Sequence, residues 1–376
     1  MPISTSFPSP RKNIVAVDLF CGVGGKTHGF VTAGIPVAAG VDTDPSCRFA
    51  FEANNAGAQF FCKSVDALSG SEIQAWYPPG ATRVLIGCAP CQPFSKYAYR
   101  YAGEVAGKRS SRDERWGLLA SFGKLVEAVR PEIVTAENVP QLALRKHRVY
   151  ERFIRKLNAL GYSVTETVVR CADYGVPQSR ERLVVLASLL GAINLQRPTH
   201  GVDRYVTVRD QIGSMPVISA GGDPPDNDPL HRSCSLSPLN LRRIRATPPG
   251  GGWQDWPLAL RVACHRRDSG KTYPSVYGRM RWDDLAPTIT TQCFGLGNGR
   301  FGHPEQDRAI SLREAALLQT FPPDYRFVAP HEPILYSRIG KHIGNAVPVA
   351  LGSAIARSII LHLQEAASPA PRTRTG

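Results

Sequence analysis

The chain has 376 residues, with 45 Lys and Arg against 31 Asp and Glu, which gives a formal net charge of +14. Hydrophobic residues make up 43% of it and charged residues 20%, a balance typical of globular and not of disordered proteins. We find no apolar run of the roughly 18 residues that a membrane helix needs and no signal-peptide core, so we expect a cytoplasmic protein. The positive charge indicates a polyanionic partner.

The first 190 residues alternate between strand-like and helix-like segments. Apolar runs bounded by turn residues predict strands, and apolar residues at helical spacing predict helices. The predicted strands are 14–20, 37–41, 83–87, 133–136, 164–169 and 183–187, and the predicted helices are 45–54, 116–129 and 149–160. This alternation is typical of a doubly wound α/β sheet.

The pattern breaks after residue 188, where the chain becomes rich in Pro, Gly and Arg. Helical order returns at Ser311, which forms a Ser-x-x-Glu capping box with Glu314, and a last helix is predicted at 346–364. The chain therefore divides into an α/β domain (1–190), an irregular basic insertion (191–287) and a segment that returns to the first domain (288–366). Residues 367–376 predict a disordered tail.

A glycine-rich turn, Phe20-Cys21-Gly22-Val23-Gly24-Gly25, follows the first predicted strand. Its glycines let a ligand approach the backbone, and the next helix offers free N–H groups. A dinucleotide fingerprint would need Gly where Thr27 stands, and a phosphate loop would need Gly where Phe20 stands. Asp42, at the end of the second strand, suits ribose hydroxyls. Together these features predict an adenosyl-type cofactor without a pyrophosphate.

The Cys-x-x-Cys pair of Cys88 and Cys91 follows the third predicted strand. It could be a redox dithiol, or one of the two could be a nucleophile in an electropositive environment. No second such pair completes four ligands, so we expect no zinc or other metal. The following loop, 96–115, has six basic and three acidic residues; it could supply that environment or be a solvated surface insertion.

Charged residues also mark the ends of later strands. Glu137 closes the fourth predicted strand, where a buried acid is costly unless it has a task or a partner. Arg180 and Arg182 precede another strand. Arginine forks suit carbonyl and phosphate oxygens, although a surface ion-pair cluster would look the same.

Taken in order, these features resemble the bacterial-type DNA cytosine-5 methyltransferases over nearly the whole chain. Residues 18–25 (DLFCGVGG) resemble the family's cofactor motif, and 87–95 (GCAPCQPFS) its Pro-Cys-Gln nucleophile motif. Residues 137–139 (ENV) and 178–182 (QSRER) resemble its Glu-Asn-Val and Gln-x-Arg-x-Arg motifs. Residues 311–322 and 344–348 resemble its late structural motif and its final cofactor motif.

The resemblance implies a chemistry for these residues. Cys91 would add to carbon 6 of a flipped-out cytosine, and a protonated Glu137 would share a proton with N3. Arg182, with Arg180 as a second candidate, would hold the O2 oxygen. The loop 96–115 would close over the base.

The resemblance also implies a Rossmann-like methyltransferase fold that binds S-adenosyl-L-methionine. The residues carried into the cofactor site are Phe20, Gly22, Gly24, Gly25, Asp42, Thr43, Ser64, Leu118, Asn345 and Val347. One departure concerns the adenine contact. The family often has an Asp that contacts the adenine amino group, in a segment that reads Lys63-Ser64-Val65-Asp66 in this chain. Either Ser64 or Asp66 occupies the place of that Asp, and alignment favours Ser64.

The insertion at 191–287 stands where the family keeps its target-recognition domain, which implies double-stranded DNA as the partner. The arginines that could touch phosphates or guanines are Arg242, Arg243, Arg245, Arg261, Arg266 and Arg267. The run 250–253 (GGGW) is a loop near the DNA or a structural turn. We expect a monomer that acts in restriction-modification or defence, with a cognate restriction endonuclease as a possible partner. A tRNA cytosine-5 methyltransferase and an inactive nucleic-acid-binding relative are the alternatives.

Overall fold

The computed structural model describes residues 13–89, 115–144, 147–267 and 274–367. Seven strands form one sheet: β1 (Ile14–Leu19), β2 (Val37–Asp42), β3 (Gln59–Cys62), β4 (Thr82–Gly87), β5 (Ile133–Asn138), β6 (Ser163–Arg170) and β7 (Glu181–Ser188). Their order is β3-β2-β1-β4-β5-β7-β6. Strands β1 to β5 pair in parallel, and β7 is antiparallel to both of its neighbours. The sequence pattern predicts all of these strands except β3.

Helices cover both faces of the sheet. They are α1 (Gly25–Thr32), α2 (Arg48–Asn54), α3 (Gly70–Ala75), α4 (Arg115–Val129), α5 (Gln141–Leu144), α6 (Arg148–Ala159), α7 (Val208–Ile212), α8 (Pro238–Arg245), α9 (Leu312–Leu318), α10 (Tyr336–Asn345) and α11 (Val349–Ala367). The capping box before α9 is confirmed, because the Ser311 hydroxyl accepts from the Glu314 amide and the Glu314 carboxylate accepts from the Ser311 amide. The last helix begins at Val349, three residues later than predicted, because Pro348 ends the non-helical stretch before it.

Alternate residues of the strands point to opposite faces, and two apolar cores result. On one face Ile14 and Ala16 pack with α1, α9, α10 and α11. On the other face Val15 and Val17 pack with α4 and α6. The chain therefore forms the α/β sandwich that its alternating pattern predicts.

The C-terminal helix packs directly against α1. A Cβ atom on Gly29 would lie 2.5 Å from the Val349 carbonyl oxygen, and the Ser353 hydroxyl donates to the Gly29 carbonyl at 3.1 Å. Contrary to the sequence expectation, the helical segment Tyr336–Ala367 is long and apolar enough to cross a membrane, by length and composition only. Because 67% of its most apolar window is buried inside the protein, it has the character of a core helix.

The basic insertion contributes to the main core and also has small apolar clusters of its own. Ile193, Val208 and Ile212 are buried in the same core as α9 and α11. A separate cluster within the insertion contains Trp253, Trp256 and Leu260. Another cluster joins Ile244 of the insertion to Leu296 and Ala309 of the segment that follows it. The insertion is therefore continuous with the sheet domain at its base.

Candidate active site

The glycine-rich turn leaves the carboxyl end of β1 with three left-handed residues. Phe20, Gly22 and Gly24 have φ values of 66°, 52° and 87°. The Gly22 amide donates to Asp42 Oδ2 at 2.9 Å, and the Asp44 amide donates to Asp42 Oδ1 at 3.0 Å. A Cβ on Gly22 would meet no described atom within 4 Å, so one side of the turn is open. The ends of β1 and β2 thus lie together and form one concave turn, the cradle, and its use as a cofactor site stays a prediction.

The C-terminal segment lies against the same turn. A Cβ on Gly25 would lie 2.4 Å from the Val347 carbonyl oxygen, and one on Gly344 would lie 2.2 Å from the Thr290 carbonyl carbon. Val347 is buried, whereas Asn345 is exposed at the end of α10. Residues that are more than 300 positions apart in sequence are therefore adjacent at the predicted cofactor site.

The other residues assigned to the cofactor lie around this cradle, and their roles stay predictions. Thr43 is exposed directly after β2, and Phe20 is half-buried at the end of β1. Ser64 is half-buried after β3, next to the Lys63 amide that donates to the Asp42 carbonyl at 3.0 Å, whereas Asp66 is exposed. Leu118 is half-buried in the first turns of α4.

Two buried glutamines hold the C-terminal segment in place. Gln178 Nε2 donates to the Leu318 carbonyl at 2.7 Å and to Gln319 Oε1 at 2.8 Å. Gln319 Nε2 in turn donates to the Ile343 carbonyl at 2.8 Å and to the Ala346 carbonyl at 3.2 Å. This chain of hydrogen bonds connects the segment that leads into β7 to the predicted final cofactor motif.

Arg180 belongs to this network. It is more deeply buried than we expect for a residue that would hold the O2 oxygen of the base. It is 3% exposed, and its Nη1 and Nη2 donate to the Ile289 and Ala346 carbonyls at 3.0 and 3.4 Å. The geometry therefore favours a structural role, in which Arg180 ties the C-terminal segment to β7. A spacing of two residues in the motif does not distinguish Arg180 from Arg182.

Glu137 has the partner that a buried acid needs. It lies at the end of β5, beside the start of β7, where Arg182 Nε is 2.5 Å from Glu137 Oε1. The two side chains are only 8% and 11% exposed. The two groups form an ion pair, but their atoms are not aligned for a hydrogen bond. A carboxyl group and a guanidinium therefore lie together at the sheet edge that also carries the cradle.

Asn138 holds the stem of the segment that follows β4. Its Nδ2 donates to the Ala89 carbonyl at 3.0 Å in a buried contact, and its Oδ1 accepts from the Val139 amide. Residues 90–114, which include Cys91 and nearly all of the loop 96–115, lie outside the described residues. No role for Asn138 follows from the sequence reasoning; its place in the Glu-Asn-Val motif is the signal that could have indicated one.

The other cysteine of the pair, Cys88, is half-buried behind this edge. Burial raises the pKa of the Cys88 thiol to about 12, despite the attraction of the nearby Lys26 ammonium. A thiol that stays neutral at physiological pH is a poor partner in a redox dithiol. The raised pKa of Cys88 argues against a redox dithiol, and the role of Cys91 as the reactive residue stays a prediction.

Among the described residues, one group has the donor types of a metal site: Asp44, Cys47 and His342. The Lys341 ammonium lies 2.8 Å from Asp44 Oδ2, and Ser46 Oγ lies 3.0 Å from His342 Nε2. Burial also raises the pKa of the Cys47 thiol. Because a lysine already compensates the carboxylate, we interpret the group as a polar link between the loop after β2 and α10.

The arginines of the insertion divide into two groups. Arg243 is buried, donates to the Leu260 carbonyl and Asn240 Oδ1, and lies over the ring of Trp256. The other structural contacts are those of Arg261 to the Gln254 and Trp256 carbonyls, Arg266 to the Arg261 carbonyl and Arg245 to Asp307. Within the described ranges, the exposed side chains of Arg242 and Arg267 have no such partner.

The glycine run of the insertion has the features of a structural turn. Gly250 has a φ of 79°, and its amide and carbonyl pair with the Arg279 carbonyl and the Arg300 side chain. Trp253 is 4% exposed and stacks on His265 with ring centroids 4.2 Å apart. This aromatic ring is therefore part of a small core.

The fold and this edge of the sheet define a class of enzyme, and comparison with known proteins agrees. The family model described as C-5 cytosine-specific DNA methylase matches residues 14–361. The chain therefore belongs to the C-5 cytosine-specific DNA methylase family and is a DNA (cytosine-5-)-methyltransferase. The resemblance and the fold class predicted from the sequence are both confirmed.

Individual relatives support the same family assignment. The chain is 50% identical to the Type II methylase M.HgiDII of Herpetosiphon aurantiacus over 344 residues, 91% of this chain and 94% of the relative. It is 30% identical to the Type II methyltransferase M1.HphI of Haemophilus parahaemolyticus, over 93% and 87% of the two chains. A solved structure of a prophage-encoded chain from E. coli, described as a DNA modification methyltransferase, matches with a TM-score of 0.70 at 22% identity. That match covers 93% of this chain and 99% of the other, and it supports the fold.

Proposed function

We propose that this chain methylates carbon 5 of a flipped-out cytosine in duplex DNA through a covalent bond from Cys91 to carbon 6. The observation that carries the proposal is the buried pair of Glu137 and Arg182 at the sheet edge that also holds the glycine-rich cradle. A base placed there would meet an acid and a guanidinium on one side and the cradle on the other.

The cradle fits S-adenosylmethionine. Gly22 opens to free space, and the Gly24 N-cap and the start of α1 present backbone amides. The Asp42 carboxylate is fixed by the Gly22 and Asp44 amides. The residues that would hold the cofactor are Phe20, Gly22, Gly24, Gly25, Asp42, Thr43, Ser64, Leu118, Asn345 and Val347. When bound, it supplies the methyl group that carbon 5 receives.

The side chains of this protein would activate the base. The Cys91 thiolate forms a bond to carbon 6, and the displaced electron pair moves toward N3. Glu137, which we propose takes up a proton when the entering base displaces it from its ion pair with Arg182, supplies that proton to N3. Arg182 holds the O2 oxygen and stabilises the charge that develops on the ring. As carbon 5 takes up the methyl group, N3 returns its proton to Glu137. Water then accepts the carbon-5 proton, the electron pair of that C–H bond re-forms the double bond between carbons 5 and 6, and the bond from carbon 6 to sulfur breaks to release the Cys91 thiolate.

The biological role that we propose is protection of DNA in a restriction-modification system. The relatives M.HgiDII and M1.HphI are described as Type II enzymes, which supports a cognate restriction endonuclease as the partner. We also propose that the enzyme acts as a monomer, because a single flipped base requires no two-fold symmetry.

The test is methyl transfer from radiolabelled S-adenosylmethionine, with duplex DNA and bulk tRNA offered side by side. We expect label on DNA and a covalent complex when 5-fluorocytosine replaces cytosine. Cys91→Ser should abolish both signals while DNA affinity stays within about tenfold of wild type. Label on tRNA alone would replace the substrate, and retained turnover by Cys91→Ser would remove Cys91 from its role.

A further inference from the structure

A lysine is buried behind the candidate active site, in the first turn of α1. Lys26 is 3% exposed, and its Nζ lies 3.4 Å from Thr135 Oγ1 and 3.8 Å from Cys88 Sγ. An ammonium group removed from water is costly unless charge and hydrogen bonds compensate it. A Leu or Met side chain would fill comparable space on α1 without that cost, so packing alone does not account for the lysine.

The compensating charge comes from Asp18, near the end of β1. Asp18 is 1% exposed; its Oδ2 accepts from Thr27 Oγ1 at 2.6 Å, and within the described ranges its Oδ1 has no hydrogen-bond partner. Burial raises the pKa of Asp18 to about 6, and the attraction of Lys26 opposes that effect. The ammonium therefore contacts two neutral groups, Thr135 and Cys88, and is attracted by the charge of Asp18 without forming a close ion pair with it.

The strand register shows what the ammonium connects. Asp18 pairs with Ile86 of β4, and Ile86 pairs with Thr135 of β5, so these three residues form one row across the sheet. Glu137 lies two residues beyond Thr135 on the same face of β5, and Cys88 lies two residues beyond Ile86, directly after the end of β4. Lys26 thus reaches from the helix of the cofactor cradle to the strand ends that lead to Cys91 and to Glu137.

We infer that Lys26 is a positioning residue for the methyl transfer: its ammonium fixes the ends of β4 and β5 against α1. This inference rests on the proposed function, and Lys26 acts through Cys88 and Thr135 instead of touching the cytosine. An error of about 1 Å in the placement of reacting groups can lower a rate about 100-fold. The residue is thus expected to act on the rate of reaction more than on cofactor affinity.

The experiment compares four proteins: wild type, Lys26→Met, Asp18→Asn and the double variant. Asp18→Asn removes the carboxylate that Lys26→Met would leave without a compensating charge. The readouts are the melting temperature, the Kd for S-adenosylhomocysteine, single-turnover methyl transfer to DNA, and cofactor-free exchange of tritium from carbon 5 of cytosine. We expect Asp18→Asn to restore the melting temperature of Lys26→Met. Relative to Asp18→Asn alone, the double variant should still exchange tritium 10- to 100-fold more slowly, with the Kd changed less than threefold.

A charge-balancing role predicts a different result. If the double variant exchanges tritium within about twofold of Asp18→Asn, Lys26 only neutralises Asp18, and the inference fails. If Lys26→Met does not fold, Thr135→Val and Thr135→Ser decide, because only the serine keeps the hydroxyl that the ammonium contacts. Equal rates for these two would overturn the inference, whereas a slow valine variant rescued by serine supports it. Wild-type enzyme without methyl transfer to DNA would instead refute the proposed function.

Discussion

Gly25 is the residue at which the glycine-rich turn touches the C-terminal segment, and Gly25→Ala tests whether that contact builds the cofactor site. The added methyl group would lie 2.4 Å from the Val347 carbonyl oxygen and 3.2 Å from Ala346 Cβ. The segment must therefore move by about 1 Å to reach an ordinary contact distance, and such overpacking costs about 1–3 kcal/mol. The Ala346 carbonyl also accepts from Gln319 and Arg180 at 3.2 and 3.4 Å. Weakening these bonds adds about 1 kcal/mol, so the free energy of unfolding should fall by about 2–4 kcal/mol.

Calorimetric titration with S-adenosylhomocysteine and thermal melting measure both consequences. We expect the Kd to rise about tenfold or more, which corresponds to about 1.4 kcal/mol, together with a melting temperature lower by several degrees. Gly201→Ala is the matched control, because Gly201 has an extended backbone with φ of −98° and an open position for Cβ. If Gly25→Ala binds S-adenosylhomocysteine as tightly as wild type and has the same melting temperature as Gly201→Ala, the glycine-rich turn and the C-terminal segment do not form one site.

Three further outcomes are expected. In filter binding, Arg242→Ala should weaken DNA binding and reduce its salt dependence by about one phosphate contact, and its melting temperature should not change. Arg243→Ala should instead lower the melting temperature. Glu137→Gln should slow single-turnover methyl transfer by about 10²- to 10⁴-fold; a smaller loss would remove it as the proton donor. Burial lowers the pKa of His303 to about 4, below its usual 6.5, so the unfolded chain binds more protons between these values. Stability should therefore fall as the pH drops from 6.5 to 4, and His303→Gln should flatten that decline in melting experiments.

Strands β1, β2, β4, β5 and β7 could be predicted because each contains a run of buried apolar residues bounded by turns. Strand β6 has only one buried residue, and it could be predicted because its eight residues are rich in Val and Thr. Strand β3, Gln59–Cys62, is the exception: it has four residues at the sheet edge, two of them exposed, and therefore lacks a buried-run pattern. The predicted helix at 45–54 is correct in extent, but its first turn, Pro45–Cys47, is a 3₁₀ helix in which the Asp44 side chain accepts from the Ser46 amide. Local hydrogen bonds of this kind leave no periodic signal.

The positions of the candidate site residues could be predicted, but their partners could not. Strand ends meet at one edge of a sheet, so Asp42 and Glu137 were predictable at that edge from chain order alone. Arg180 and Arg182 differ because one faces the backbone of the C-terminal segment and the other faces Glu137, and those contacts depend on residues far away in sequence. Lys26 has the pattern of an ordinary exposed lysine at the start of a helix, and only the packing of α1 on the sheet shows it to be buried.

The base of the insertion adjoins the arginine that pairs with the candidate catalytic acid. Ala286, at the end of the insertion, accepts from the Ser179 amide at 2.9 Å and donates to the Pro177 carbonyl at 2.9 Å. These residues lead directly into β7 and Arg182, and the Ile289 amide donates to the Gln178 side chain of the same segment. A movement of the insertion on DNA would therefore act on the strand that holds Arg182 against Glu137. This connection offers a physical route by which recognition of a target sequence could affect the groups that we propose activate the cytosine.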